Sequence, residues 1–302
     1  MPTLFENRVA IVTGAGTGLG RSHALMLAKH GAKVVVNDLG GSVDGSGGSE
    51  GPAQAVVHEI EAAGGAALAN GANVTKPDEV EAMVAAALDR FGRVDILINN
   101  AGILRDKSFA KMALDDFRAV MEVHLWGSVV CTKAVWGPMR EAGYGRVVLT
   151  ASSSGLYGNF GQSNYGAAKT AMVGLMNVLA LEGAKSDIRV NTLSPTAMTR
   201  MTEGLIPEAA GAALTPESVS AGALALCAED APSKMILCAG AGGYAETKIY
   251  ETKGVSLPPE EQTPEAVLAR MGDIRDPSGQ RAMPDGSAQT LHFLEMAAKR
   301  GG

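Results

Sequence analysis

Over its first 240 or so residues the chain alternates short apolar, β-branched runs with longer stretches of helical periodicity. Val9-Ala10-Ile11-Val12 and Lys33-Val34-Val35-Val36-Asn37 read as buried strands. Ile96-Leu97-Ile98, Arg146-Val147-Val148-Leu149, Ile188-Arg189-Val190-Asn191 and Met235-Ile236-Leu237-Cys238 read as further strands. Between them the spacing predicts helices, among them 21–30, ended by Gly31, and 76–90, with Thr75 as N-cap. Strands that alternate with helices predict an α/β fold, a Rossmann-type doubly wound parallel sheet. Beyond Glu251 the pattern weakens to two short helices, 264–271 capped by Thr263 and 287–299 ended by Gly301. The expected organisation is one domain over 1–250 and a C-terminal extension over 251–302.

Composition narrows the classes of partner. With 46% hydrophobic residues in 302, the chain can bury a sizeable core, and 38 glycines against 4% aromatics favour close helix–sheet packing. A net charge of −6 speaks against nucleic acid, whose phosphates need a basic stripe. Cys131, Cys227 and Cys238 form no CxxC pair and read as reduced thiols of a cytoplasmic protein. The five histidines lack metal-ligand spacing, so no metal is expected. No signal-peptide core and no run of 18 apolar residues occurs, so no membrane is expected either.

The chemistry collects at strand ends. The first strand runs into Gly14-x-x-x-Gly18-x-Gly20 and then a helix. Residues without a Cβ let backbone approach a pyrophosphate at the helix N-terminus. Asp38 ends the second strand, where a carboxylate accepts from both ribose hydroxyls and repels a 2′-phosphate, favouring NAD over NADP. The glycine-rich run 40–51 follows, either a solvated insertion or a cover for the cofactor. Tyr165 and Lys169 stand at i, i+4 on a helix. A free phenol has a pKa near ~10. A neighbouring ammonium, with the charge of oxidised nicotinamide, is expected to lower it into the range of a useful base. The cluster Ser152-Ser153-Ser154 follows the 146–149 strand, where a hydroxyl can hold a substrate oxygen.

Together these residues resemble the short-chain dehydrogenase/reductase family over about 5–245. Asn99-Asn100-Ala101-Gly102 and Asn191-Thr192-Leu193-Ser194-Pro195 add to the likeness. The resemblance implies that 1–250 is a dinucleotide-binding catalytic domain and that Ser152, Tyr165 and Lys169 are catalytic. It implies cofactor contacts from Gly14, Thr17, Gly18, Leu19, Gly20, Asp38, Asn73, Val74, Asn100, Ala101, Gly102, Tyr165, Lys169, Pro195, Ala197 and Thr199. His124 stands where the family usually has Asn, and Thr199 lies one position short of the usual threonine. Many relatives associate through helices here near 110–135 and 160–182, so a homodimer or homotetramer is expected.

A narrower likeness rests on 36–41, the glycine-rich run, 101–109 and 155–162. It is to the (3R)-hydroxyacyl-CoA dehydrogenase unit of peroxisomal multifunctional enzyme type 2 and its bacterial single-domain relatives. It implies NAD-dependent oxidation of a small-molecule secondary alcohol, a (3R)-3-hydroxyacyl-CoA, in fatty-acid or sterol side-chain β-oxidation. A hydroxysteroid is the alternative substrate, and a non-catalytic NAD sensor the alternative of another class. Arg105, Lys107 and Arg200 are candidates for attracting CoA phosphates.

Overall fold

The computed structural model describes residues 3–49, 51–198 and 212–299. It divides into two compact units, Met1–Glu246 and Thr247–Gly302.

The first unit begins β1 (Val9–Thr13), α1 (Gly18–Lys29), β2 (Lys33–Asn37), α2 (Gly51–Ala62), β3 (Ala67–Asn70), α3 (Pro77–Phe91), β4 (Ile96–Asn99) and α4 (Leu114–Met121). It continues with α5 (Gly127–Ala142), β5 (Gly145–Thr150), α6 (Ser153–Tyr157), α7 (Ser163–Gly183), β6 (Ile188–Thr196), α8 (Pro216–Ala225) and β7 (Ile236–Gly240), and closes in β8 (Gly243–Thr247), whose last residue opens the second unit. The strands form one sheet in the order β3-β2-β1-β4-β5-β6-β7-β8, parallel from β3 to β7. The doubly wound order reverses between β1 and β4, and such a switch point opens a crevice at the carboxyl ends of the strands.

The two faces of the sheet follow the period of two. Ala10, Val12, Val34, Val36, Ile96 and Ile98 belong to one buried cluster, shared with residues of α1, α2 and α8. Ile11, Val35, Leu97, Val147, Leu149 and Val190 belong to the other, shared with α3, α5 and α7. Burial on both faces is why these strands read as continuous apolar runs. Strand β3 escaped the pattern because Ala67-Leu68-Ala69-Asn70 lacks β-branched residues. β8 follows a two-residue turn, Ala241 and Gly242, both at positive φ.

Two element ends differ from expectation. α3 takes Lys76, not Thr75, at its N-cap, because Thr75 turns its N–H and hydroxyl to the Asn73 side-chain oxygen instead. α1 starts at Gly18, three residues early, drawing the glycine turn into its first turn.

Charge anchors the amino ends of the strands. Buried Asp95, just before β4, accepts from the Val9 N–H and from Arg8 and Arg93. Arg146 of β5 is fully buried, bonded to the carbonyls of Gly145, Asp187, Ala228 and Glu229.

Within the second unit, Thr263 caps α9 (Pro264–Ala269), followed by α10 (Met271–Ile274). The last helix, α11 (Gly286–Ala298), is capped by Asp285, and Gly301 lies outside the described residues. No helix among the described residues is long and apolar enough to cross a membrane.

A buried polar link joins α1 to α8: His23 Nδ1 lies 2.7 Å from the Ser220 hydroxyl, which donates to Ser22 at 2.8 Å. Burial holds the imidazole down at about 4 against its ordinary 6.5. The unfolded ring takes a proton below 6.5 while the folded one resists until about 4. Stability therefore falls as pH drops through that window, by about 3 kcal/mol in all. His23→Asn should remove this part of the acid-side slope in denaturation free energies taken from pH 7 to 4.5. A slope equal to the parent's would show that the ring is not its source.

Candidate active site

Backbone geometry shapes the cleft at the switch point. Gly14 adopts φ +62°, and a Cβ there would stand 2.8 Å from Ala101 Cα. Gly18 opens α1 at φ +56°, and a Cβ on Gly20 would meet the Gly14 carbonyl at 2.1 Å. The glycines thus let β1, the helix start and the end of β4 close on one another. The first turn of α1 carries no acidic side chain, so its free N–H groups keep their positive end for an anion. Asn100 ties the two strands: its side-chain amide donates to the carbonyls of Thr13 and Gly14, 3.0 Å each.

A cavity of about 410 Å³ lies over this junction. Of the residues expected at the cofactor, Gly14, Thr17, Gly18, Leu19, Asp38, Asn73, Val74, Asn100, Ala101 and Gly102 line it. Gly20 is buried beneath, where it serves packing, and Tyr165, Lys169, Pro195 and Ala197 are not among its lining. Thr199 and Arg200 lie outside the described residues.

Asp38 is held by two backbone donors, Gly16 N–H to Oδ2 and Gly40 N–H to Oδ1, both 2.7 Å. A carboxylate has about four acceptor positions, so two remain for ribose hydroxyls. A glycine is needed at position 16, since a Cβ there would lie 2.8 Å from Asp38 Oδ2. These features fit a dinucleotide: small residues where a pyrophosphate passes and a preset carboxylate at the ribose end.

The glycine-rich run is seated on this cleft. Leu39, Gly41, Ser42, Val43 and Gly45 line it. The Leu104 N–H donates to Val43 O, and Arg105 Nε donates to Asp44 O, 3.0 Å each. Arg105 also pairs with Asp116 at 3.1 Å. The charge expected to attract phosphate is thus engaged in latching a loop. Lys107 is exposed, with its N–H bonded to Gly161 O.

The hydroxyl–phenol–amine cluster expected to be catalytic stands beside this cleft. Ser152 caps α6 and accepts from the Ser154 N–H at 3.3 Å. α7 carries Tyr165 and Lys169 one turn apart, and the Ser152 hydroxyl stands close enough to the phenol to favour its ionised form. Close approach of α6 to α7 depends on Gly155, where a Cβ would stand 2.8 Å from the Lys169 backbone. Lys169 is buried, its ammonium donating to Thr150 O at 2.6 Å and lying 5.5 Å from the Tyr165 ring centre.

The electrostatics depart from the expectation drawn from spacing. Burial raises the Tyr165 phenol above its ordinary range, opposed by the Ser152 hydroxyl and reinforced by the charge of Asp106. Burial also drops Lys169 from 10.5 to about 7. The protein alone therefore biases both groups towards neutrality. The i, i+4 rule locates the pair but not the desolvation that governs it.

A five-residue π-helical turn, Glu122–Trp126, brings buried His124 edge-on to Tyr165 with ring centres 5.2 Å apart. Burial, with the Lys169 charge, keeps this imidazole neutral. Its Nε2 meets both the N–H and the carbonyl of Ile103, at 3.1 and 2.9 Å. A neutral ring can serve one of the two at a time. Gly102 makes room for it, as a Cβ there would touch Cε1 at 2.1 Å.

Sequence reasoning missed the Thr150 carbonyl, the Gly16 lock on Asp38 and the contacts of Asp106 with Gln162. Backbone partners leave no residue-type signature, and single polar residues in loops carry no period.

A dinucleotide-shaped cleft flanked by a hydroxyl–phenol–amine cluster defines an oxidoreductase acting on CH–OH groups. Residues 8–209 match the short chain dehydrogenase family, and the chain belongs to it. A short-chain type dehydrogenase/reductase of Mycobacterium tuberculosis is 47% identical over 277 residues, covering 91% of this chain and 96% of that protein. Peroxisomal multifunctional enzyme type 2 of Drosophila melanogaster is 42% identical over 306 residues, and the chain spans 50% of its length. The solved structure of that full-length enzyme superposes with a TM-score of 0.82 at 35% identity, covering 98% of this chain and 50% of that one. A 7α-hydroxysteroid dehydrogenase solved with NADH and 7-oxo glycochenodeoxycholic acid superposes at 0.72, 31% identical, covering 80% and 96%.

Arg105→Ala should release the glycine-rich run. Amide exchange of 41–49 should rise several-fold while α1 keeps its protection, read by hydrogen-exchange mass spectrometry. Equal protection in both proteins would deny Arg105 the role of latch.

Proposed function

We propose that the chain oxidises a (3R)-3-hydroxyacyl-CoA to the 3-oxoacyl-CoA with NAD. The observation that carries the reading is the grouping of Ser152 and Tyr165 with buried Lys169 one turn on, 5.5 Å from the phenol ring, beside a cleft lined by Asp38. Bound NAD supplies a hydride acceptor and one positive charge. Gly14, Thr17, Gly18 and Leu19 hold its phosphates at α1, and Asp38 takes its adenosine ribose. Ser152 donates to the reacting oxygen, and Tyr165 receives the hydroxyl proton. Lys169, fixed by Thr150 O, offers its remaining hydrogens to a ribose and to the phenol's surroundings.

The raised phenol makes binding order meaningful. Tyr165 becomes a base once positive charge enters its partly buried surroundings, so cofactor precedes alcohol. Asp38 disfavours a 2′-phosphate, since like charges set together cost several kcal/mol. Acyl-CoA as substrate draws support from the Drosophila relative, a multifunctional enzyme matched over 99% of this chain. A hydroxysteroid is the second reading, favoured by the steroid in the 31% identical neighbour. Free cysteines support a cytoplasmic setting. Val178 and Leu181, exposed on α7, support self-association as a homodimer or homotetramer.

Incubation with NAD and a (3R)-3-hydroxyacyl-CoA should generate NADH absorbance, with kcat/KM at least ~100-fold above that with NADP. Turnover of a hydroxysteroid alone would reassign the substrate. Tyr165→Phe should cut kcat by ~1000-fold or more while NADH affinity stays within about twofold. Unchanged turnover would remove Tyr165 from the reaction and leave the sensor as the surviving alternative.

A further inference from the structure

We infer that Asp106 and Gln162 act together as positioning residues that hold the Ser152 and Tyr165 hydroxyls in line. This rests on the reading in which Tyr165 takes the proton. Asp106 lies in the segment that follows β4, and Gln162 occupies the N-cap position of α7. Gln162 is buried, and its Nε2 donates to Asp106 Oδ2 at 2.7 Å. An ionised carboxylate only accepts, so it fixes which end of the amide faces it. The amide oxygen is thereby turned to the Ser154 hydroxyl, 2.6 Å, and to Asn159 Nδ2, 3.1 Å. Ser154 is buried too, and its N–H donates to Ser152 Oγ. The Ser152 hydroxyl in turn stands beside the phenol and favours its ionised form. Hydrogen bonds thus link the exposed Asp106 carboxylate to Gln162, Gln162 to the Ser154 hydroxyl, and the Ser154 backbone to the Ser152 hydroxyl.

Backbone contacts brace both sides of this chain. Lys107 N–H donates to Gly161 O, and Asn164 Nδ2 donates to Arg105 O, 2.9 Å each. With Asp106 gone, the amide is free to turn over and present its NH₂ to Ser154, and the turn that seats Ser152 loses its reference point.

Asp106 also carries charge. The groups facing Tyr165 are Lys169 on its own helix, His124 on the π-helical turn, Ser152 at the α6 cap and Asp106. Val120 of α4, with Ala119 beside it, packs in the same small cluster and is apolar. The Asp106 charge resists phenolate formation. Its removal favours the phenolate, so the ascending limb of kcat/KM against pH moves to lower pH.

Three variants separate geometry from charge. Asp106→Asn keeps an acceptor and loses the charge; plateau kcat should stay within about twofold, with the limb shifted down by about half a unit. Asp106→Ala and Gln162→Met should each lower plateau kcat about tenfold, and the double variant no further, as expected of one linkage. Gln162→Met should leave the limb in place. NADH affinity by fluorescence and thermal midpoints should match the parent throughout. A limb unmoved in Asp106→Asn, losses that multiply in the double variant, or parallel loss of NADH affinity would each overturn the inference. Tyr165→Phe run alongside keeps the levels apart: an active phenylalanine variant defeats the functional reading, whereas a dead one beside parent-like Asp106 and Gln162 variants defeats this inference alone.

Discussion

A buried ammonium, tied to one backbone carbonyl, governs the carboxyl end of the sheet. Lys169 reaches Thr150 O at 2.6 Å. Because that carbonyl ends β5, the hydrogen bond fixes α7 against the sheet and with it the phenol one turn earlier. Burial brings the lysine down to about 7 and raises the phenol. The cluster is thus held in a weakly charged state that a cationic partner can tip.

Much of the fold was legible in the order of residues. β1, β2, β4 and β5 are bounded within a residue or two of their apolar runs, because strands covered on both faces leave little choice of side chain. β3 was invisible, since alanine and asparagine in a half-covered edge position carry no strand signal. At the site, Gly14, Asp38, Ser152, Tyr165 and Lys169 stood out by type and spacing. The acidity of Tyr165 did not. It depends on burial, which spacing along one helix leaves undetermined. The glycine-rich run could be read two ways until Val43 and Asp44 were found bonded to Leu104 and Arg105.

Glycines recur wherever two parts of the site must touch. Gly16 admits the Asp38 carboxylate, Gly102 the His124 ring, and Gly155 the backbone of α7. Each removes one methyl from a place where a polar group needs to stand. The cost is unfolded-chain entropy, about 0.5–1 kcal/mol for a glycine relative to alanine, spread over a site whose precision depends on close approach.

Arg146 and Asp95 sit at the other pole of the sheet, each a buried charge wrapped by several strands and turns. Removing either side chain would break several hydrogen bonds at once and leave polar groups of its partners unpaired, a heavy penalty for any mutation there. Around the fixed Lys169 the opposite pole is built largely of loops with no such veto. Divergence among descendants of this sequence should therefore be lopsided, with new substrates explored at one pole while the opposite one scarcely changes.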